Sequence, residues 1–180
     1  MAKIPELKEK ISIPDGVTVT KENDKITIKG QKGELVKIFS HPKIKITVNS
    51  TIIEITSYDV LRKEKALIGT FIAHIKNMIK GVTVGFEYKM KTVFSHFPIK
   101  TSVEGKQFII QNFLGERSAR HAKIIEGVEV EAKGEDITVT GIDKEKVGQT
   151  VANIERATRV KNRDIRVFQD GVYRISKGGR

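Results

Sequence analysis

The chain has 180 residues, 38% hydrophobic and 31% charged, enough for one or two small domains with modest cores. It carries 33 Lys+Arg against 22 Asp+Glu, a formal net charge of +11, and an excess of that size points to a polyanionic partner because each neutralised phosphate releases counterions. There is no cysteine, hence no disulfide, thiolate metal site or cysteine nucleophile; no apolar run is long enough to cross a membrane, and the start Met1-Ala2-Lys3-Ile4-Pro5-Glu6 lacks the apolar core of a secretory signal, so a soluble intracellular protein with no membrane partner is expected.

Along the chain, Val17-Thr18-Val19-Thr20 and Ile26-Thr27-Ile28-Lys29 alternate apolar and polar residues and are expected to be strands, the second running into the glycine turn Gly30-Gln31-Lys32-Gly33. Ile44-Lys45-Ile46-Thr47-Val48 repeats the alternation and ends at a turn, Asn49-Ser50, before Ile53 and Ile55. Leu67, Ile68, Phe71, Ile72, Ile75 and Ile79 then recur at three- and four-residue steps, the stripe of a helix that ends at Gly81. Val82 through Met90 reads as a strand. Gln107-Phe108-Ile109-Ile110 is another, and Val128, Val130, Ile137 and Val139 form a pair across the turn Lys133-Gly134-Glu135-Asp136. A second helix, with Asp143 as its N-cap, carries the stripe Val147, Val151, Ile154 and Thr158. After it, Asp170-Gly171 predicts a hairpin turn between two short strands.

These elements repeat. Lys29 through Glu34 resembles Gln111 through Glu116, 82 residues on; Ile44, Ile46, Ile53 and Ile55 match Val128, Val130, Ile137 and Val139 at 84; and Ile68-Gly69, Ile72-Ala73 and Ile75 match Val147-Gly148, Val151-Ala152 and Ile154 at 79. Three ordered matches on the same element types predict an internal duplication. Each copy is expected to be an α+β domain, a small antiparallel sheet packed against one helix, with boundaries at 1–81 and 82–180.

The sequence offers no candidate for catalysis. His41, His74, His96 and His121 stand singly, with no metal-ligand spacing. Gly30-Gln31-Lys32-Gly33 lacks the spacing and terminal Lys-Ser/Thr of a nucleotide loop, and its counterpart at Asn112–Gly115 marks it as a turn both copies need. No catalytic residue, cofactor or metal site is expected.

The cations are unevenly divided instead. Arg62 is the only arginine in the first half, whereas Arg117, Arg120, Arg156, Arg159, Arg163, Arg166, Arg174 and Arg180 lie in the second. From Arg156 to Arg180 there are 8 basic and 2 acidic residues. Lysine is a hydrated point charge, while arginine presents a planar fork that pairs phosphates bidentately and stacks on bases. The first half therefore reads as a solvated surface and the second as a contact surface for RNA. Arg156, Arg159 and Arg163 also suit a helix C-terminus, where cations complement the dipole. That does not cover Lys161, Arg166 and Arg174. Phe168 and Tyr173 sit among these charges, as core or as stacking partners for unpaired bases.

Gly85-Phe86-Glu87-Tyr88-Lys89-Met90-Lys91, Ser95-His96-Phe97-Pro98-Ile99, Asn112-Phe113-Leu114-Gly115-Glu116, Gly141 through Gln149, and Arg163 through Tyr173 together resemble the large-subunit ribosomal protein six family in its archaeal-eukaryotic form, over essentially the whole chain. The resemblance implies two tandem α+β domains, the C-terminal one bound to large-subunit rRNA near the sarcin–ricin loop and the factor-binding region, with a role in translation. It implies rRNA contacts at Lys89, Lys91, Arg117, Arg156, Arg159, Lys161, Arg163 and Arg166; Tyr173 and Arg174 join them from the residue pattern. It also implies neighbouring ribosomal proteins, translation factors close by, and a monomer outside the ribosome. A free RNA-binding protein acting in assembly or translation is the runner-up, and an RNA-modifying enzyme a distant third.

Overall fold

A computed structural model describes Ile4 to Gly178. The chain divides into two compact units between Val84 and Gly85. In the N-terminal unit the strands are β1 (Ile4–Ser12), β2 (Thr18–Glu22), β3 (Lys25–Gly30), β4 (Gly33–Ile38), β5 (Ile44–Val48) and β6 (Ile52–Val60), followed by helix α1 (Arg62–Thr83). The C-terminal unit has β7 (Phe86–Val93), β8 (Lys100–Glu104), β9 (Gln107–Gln111), a single 3-10 turn at Phe113–Gly115, β10 (Arg120–Lys123), β11 (Val128–Lys133), β12 (Asp136–Gly141), helix α2 (Lys144–Ala157) and β13 (Gly171–Lys177).

The class is α+β, and the duplication shows in the strand orders. The N-terminal unit has sheets β1-β6-β5 and β2-β3-β4; the C-terminal unit has β7-β12-β11 and β8-β9-β10 in the corresponding places. Each copy thus splits its strands between two antiparallel sheets rather than one, with the single helix packed on both. Alternation decides which side chains face the helix. Along β7, Phe86, Tyr88, Met90 and Thr92 are buried while Glu87, Lys89, Lys91 and Val93 are exposed. The helix stripes close the cores: Ile68, Phe71, Ile75 and Ile79 in α1, and Val147, Val151 and Ile154 in α2. Each such side chain contributes about 1.5–3 kcal/mol by leaving water. Glu64 accepts the Leu61 N–H at 3.0 Å to start α1, and Asp143 accepts the Glu145 N–H at 2.9 Å to start α2.

Two expectations are corrected. Helix α1 runs through Gly81 to Thr83, and the following strand begins only at Phe86, because Val82 is fully buried against the N-terminal core and so stays with its helix. Asp170-Gly171 makes no hairpin. The chain from Thr158 to Asp170 is irregular, and β13 pairs antiparallel with β7 instead, adding an edge strand with no counterpart among the described residues of the N-terminal copy.

The glycine turn Gly30–Gly33 docks on the end of α1. The Lys32 N–H donates to the Val82 carbonyl at 2.9 Å, and a Cβ on Gly30 would fall 2.7 Å from Val82 Cγ2 and 2.8 Å from its carbonyl oxygen. The contact is to backbone as well as side chain, so it cannot simply rotate away. Gly30→Ala should therefore destabilise the N-terminal unit by about 1–3 kcal/mol in chemical denaturation; unchanged stability would show that the turn is not held against the helix.

Candidate nucleic-acid interface

The positions singled out from sequence fall on two surfaces of the C-terminal unit. The first is the outer face of the four-stranded sheet, away from α2. Lys89 and Lys91 project from it, and the register sets Tyr173 of β13 directly opposite Lys91, hence on the same face. Lys89 lies 3.6 Å from Glu87 and Lys91 3.9 Å from Glu135, exposed pairs that hold neither lysine firmly.

The second surface is built at the end of α2. Arg156 is in its last turn, and Arg159, Lys161, Arg163 and Arg166 follow on the exposed irregular segment. Arg117 joins them through its neighbours. Arg120 donates to Glu116 through Nε at 2.8 Å and Nη2 at 2.6 Å, and through Nη1 to the carbonyls of Ala157 and Arg159 at 2.9 and 3.1 Å. Its guanidinium also lies 4.2 Å above the Phe113 ring. The segment carrying Arg117 is thereby tied to the C-terminus of α2. The hydrogen bonds from Arg120, with the charges of Arg120 and Arg163, hold the Glu116 carboxyl below its ordinary range despite burial.

Arg120, counted by composition among the contact arginines, is thus a structural clamp. No spacing rule reveals that, because the two carbonyls it binds at the end of α2 are 37 and 39 residues away. Arg120→Ala should cost the unit about 2 kcal/mol, since two charge-assisted bonds go and two helix-end carbonyls lose their donor. Differential scanning calorimetry of the full chain checks it, and a change within a few tenths of a kcal/mol would contradict the clamp.

A second clamp holds the irregular segment. Asp170 is 1% exposed and accepts from the Ser95 N–H at 3.2 Å, the Ser95 hydroxyl at 3.1 Å and the His96 N–H at 3.4 Å, with His96 Nδ1 at 3.1 Å. Burial works against its ionisation, but the hydrogen bonds from His96 and Ser95 outweigh it and hold the carboxyl below the usual range. His96, single in the sequence, is therefore paired. Its ring stacks on Phe168 with centroids 4.5 Å apart, and Arg163 lies 4.8 Å above the same Phe168 ring. Phe168 packs half-buried against the core, so of its two readings the structure takes packing.

These clamps leave several cations with nothing to neutralise them. Arg166 pairs with Asp164 at 3.0 Å. The side chains of Arg117, Arg156, Arg159, Lys161 and Arg174 make no hydrogen bond or ion pair among the described residues. Arg156 and Arg159 also rim a cleft of about 510 Å3 lined by Ile165, Phe168, Val172 and Tyr173. The arrangement offers unpaired guanidinium forks on a scaffold fixed from beneath, which suits phosphate contact. Among the described residues, no group of His, Asp and Glu side chains could hold a metal ion, and no helix is long and apolar enough to cross a membrane.

The family model for ribosomal protein L6 matches residues 13–85 and again 97–171, one match in each unit. The chain belongs to the ribosomal protein L6 family. Similar proteins include the large ribosomal subunit protein uL6 of Methanobrevibacter smithii, 51% identical over 95% of this chain and 96% of that protein. Those of Aeropyrum pernix and Desulfurococcus amylolyticus are 48% and 47% identical, covering 96% and 99% of this chain and 96% and 98% of theirs. The L6 family is one of ribosomal proteins and not of enzymes. The archaeal relatives agree with the archaeal-eukaryotic form of the resemblance.

Proposed function

We propose that this chain is a non-catalytic structural constituent of the large ribosomal subunit in the cytoplasm, gripping large-subunit rRNA mainly through residues 85–178. The observation that carries this reading is the set of unneutralised cations, Arg117, Arg156, Arg159, Lys161 and Arg174, held on one unit by the Arg120 and Asp170 clamps. Phosphate contacts by such cations position a protein on RNA shape rather than on base sequence. Lys89, Lys91, Arg163 and Arg166 extend the surface. As the family resemblance implies, the site sits near the sarcin–ricin loop, with translation factors passing close by, and the arginine-poor N-terminal unit is left to neighbouring proteins or solvent. Outside the ribosome the chain is a monomer.

Sedimentation of a cell lysate through a sucrose gradient tests the reading. The chain should travel with large subunits, near stoichiometric with rRNA, and stay there through a moderate salt wash. A peak at the top of the gradient, with only salt-labile traces on subunits, would make it a transient RNA binder instead.

A further inference from the structure

We infer that Tyr173 is a fixed stacking platform for one unpaired base of rRNA. This rests on the rRNA-binding reading above and adds a contact to a base where the cations supply contacts to phosphates. The ring is held in place from two directions. Its hydroxyl donates to the Gln169 carbonyl at 3.0 Å. Beneath it lies Gly171, two residues earlier on the same face of β13: a Cβ there would stand 3.1 Å from Cε2, Cζ and the hydroxyl oxygen, so only glycine lets the ring lie flat over the strand. An aromatic ring that is already ordered loses little entropy when a partner settles on it.

Burial of the ring in the core does not account for this geometry. Tyr173 lies on the sheet face away from α2 and remains 47% exposed, whereas Val172, its neighbour in sequence, is 1% exposed on the core side. Its surroundings match a polyanion. Lys91 is directly opposite on β7 and Lys89 follows on the same face, whereas Arg174, next along the strand and paired with the buried Met90, belongs to the other face. Of the acidic side chains near that sheet face, Glu87 lies 3.6 Å from Lys89 and Glu135 3.9 Å from Lys91, exposed pairs that a phosphate can displace. Asp136, Glu129 and Glu131 lie on β12 and β11, on the side of β7 away from β13. A base stacked on Tyr173 thus leaves its flanking phosphates beside cations, the combination used for single-stranded nucleotides.

The chain contains no tryptophan, so Tyr173→Trp introduces a single fluorescent reporter at the platform. With the full chain and large-subunit rRNA transcribed in vitro, the reporter should be quenched on binding and shielded from acrylamide. In parallel, Tyr173→Leu should weaken binding about five- to 150-fold, the range expected for losing one base–aromatic stack, with the salt slope unchanged because no phosphate contact is lost. Tyr173→Phe, which keeps the ring, should bind within a few-fold of the original. If Tyr173→Leu binds as tightly as the wild type and the reporter stays unquenched, the platform is overturned and the rRNA reading is left intact. Failure of the unaltered chain to bind rRNA would overturn both. Quenching that needs a second ribosomal protein and not rRNA would assign the ring to a protein interface and overturn the base contact.

Discussion

Replacing Arg156, Arg159, Lys161 and Arg163 together by glutamine should weaken binding to large-subunit rRNA at least 100-fold and flatten its salt dependence by about three units of log–log slope. Each phosphate contact contributes roughly 0.7–0.9 to that slope, so losing four contacts predicts the change directly. The fold should survive, because Arg156, Arg159 and Lys161 have no internal side-chain partner among the described residues and the exposed Arg163 gives up only its ring contact with Phe168 and its field on Glu116. Filter binding from 50 to 300 mM salt, with circular dichroism on the same samples, separates binding from folding. An unchanged slope in a folded variant would move the RNA contact elsewhere. A control set of three exposed lysines on α1, Lys63, Lys65 and Lys76 to glutamine, should change the slope little.

The second large effect concerns stability. Asp170→Ala should cost the C-terminal unit about 2–4 kcal/mol, because it leaves the Ser95 and His96 N–H groups without their acceptor in a buried place. It should also free the segment that carries Lys161, Arg163 and Arg166, and so lower rRNA affinity without touching a contact residue. The pH dependence has a defined sign. The folded-state pKa of Asp170 lies below its unfolded value. Its stabilisation is therefore fully present above about pH 4, the ordinary aspartate range, and is lost as pH falls through the lower folded value. Urea denaturation at pH 7 and again near pH 3 measures this. The gap between the wild type and Asp170→Asn should be wide at neutral pH and shrink in acid; a gap that widens in acid would contradict the assignment.

The clamp also shows where sequence reading stops. Helix stripes, alternating strands and the duplication were legible because they are local or repeated patterns: Ile68 and Val147, or Ile53 and Ile137, occupy equivalent buried positions in the two units. The family motifs were legible for the same reason. Asp170-Gly171, by contrast, reads locally as a tight turn, yet Asp170 spends its carboxylate on Ser95 and His96, 75 and 74 residues away. That pairing draws β13 onto β7 and overrides the turn preference. Arginine counts likewise could not separate Arg120, which binds the end of α2, from Arg117 three residues earlier, whose guanidinium stays free among the described residues. The end of α1 departs from its local signal for a related reason: Gly81 is a common helix stop, but burial of Val82 carries the helix past it.

The proposal that residues 85–178 hold most of the grip on rRNA is tested most directly by ultraviolet crosslinking of isolated large subunits, followed by mass spectrometry of this chain's peptide–RNA adducts. Adducts are expected to concentrate between Arg156 and Arg174, with others near Lys89, Lys91 and Arg117. Adducts confined to residues 4–84, or none at all from the second unit, would contradict it.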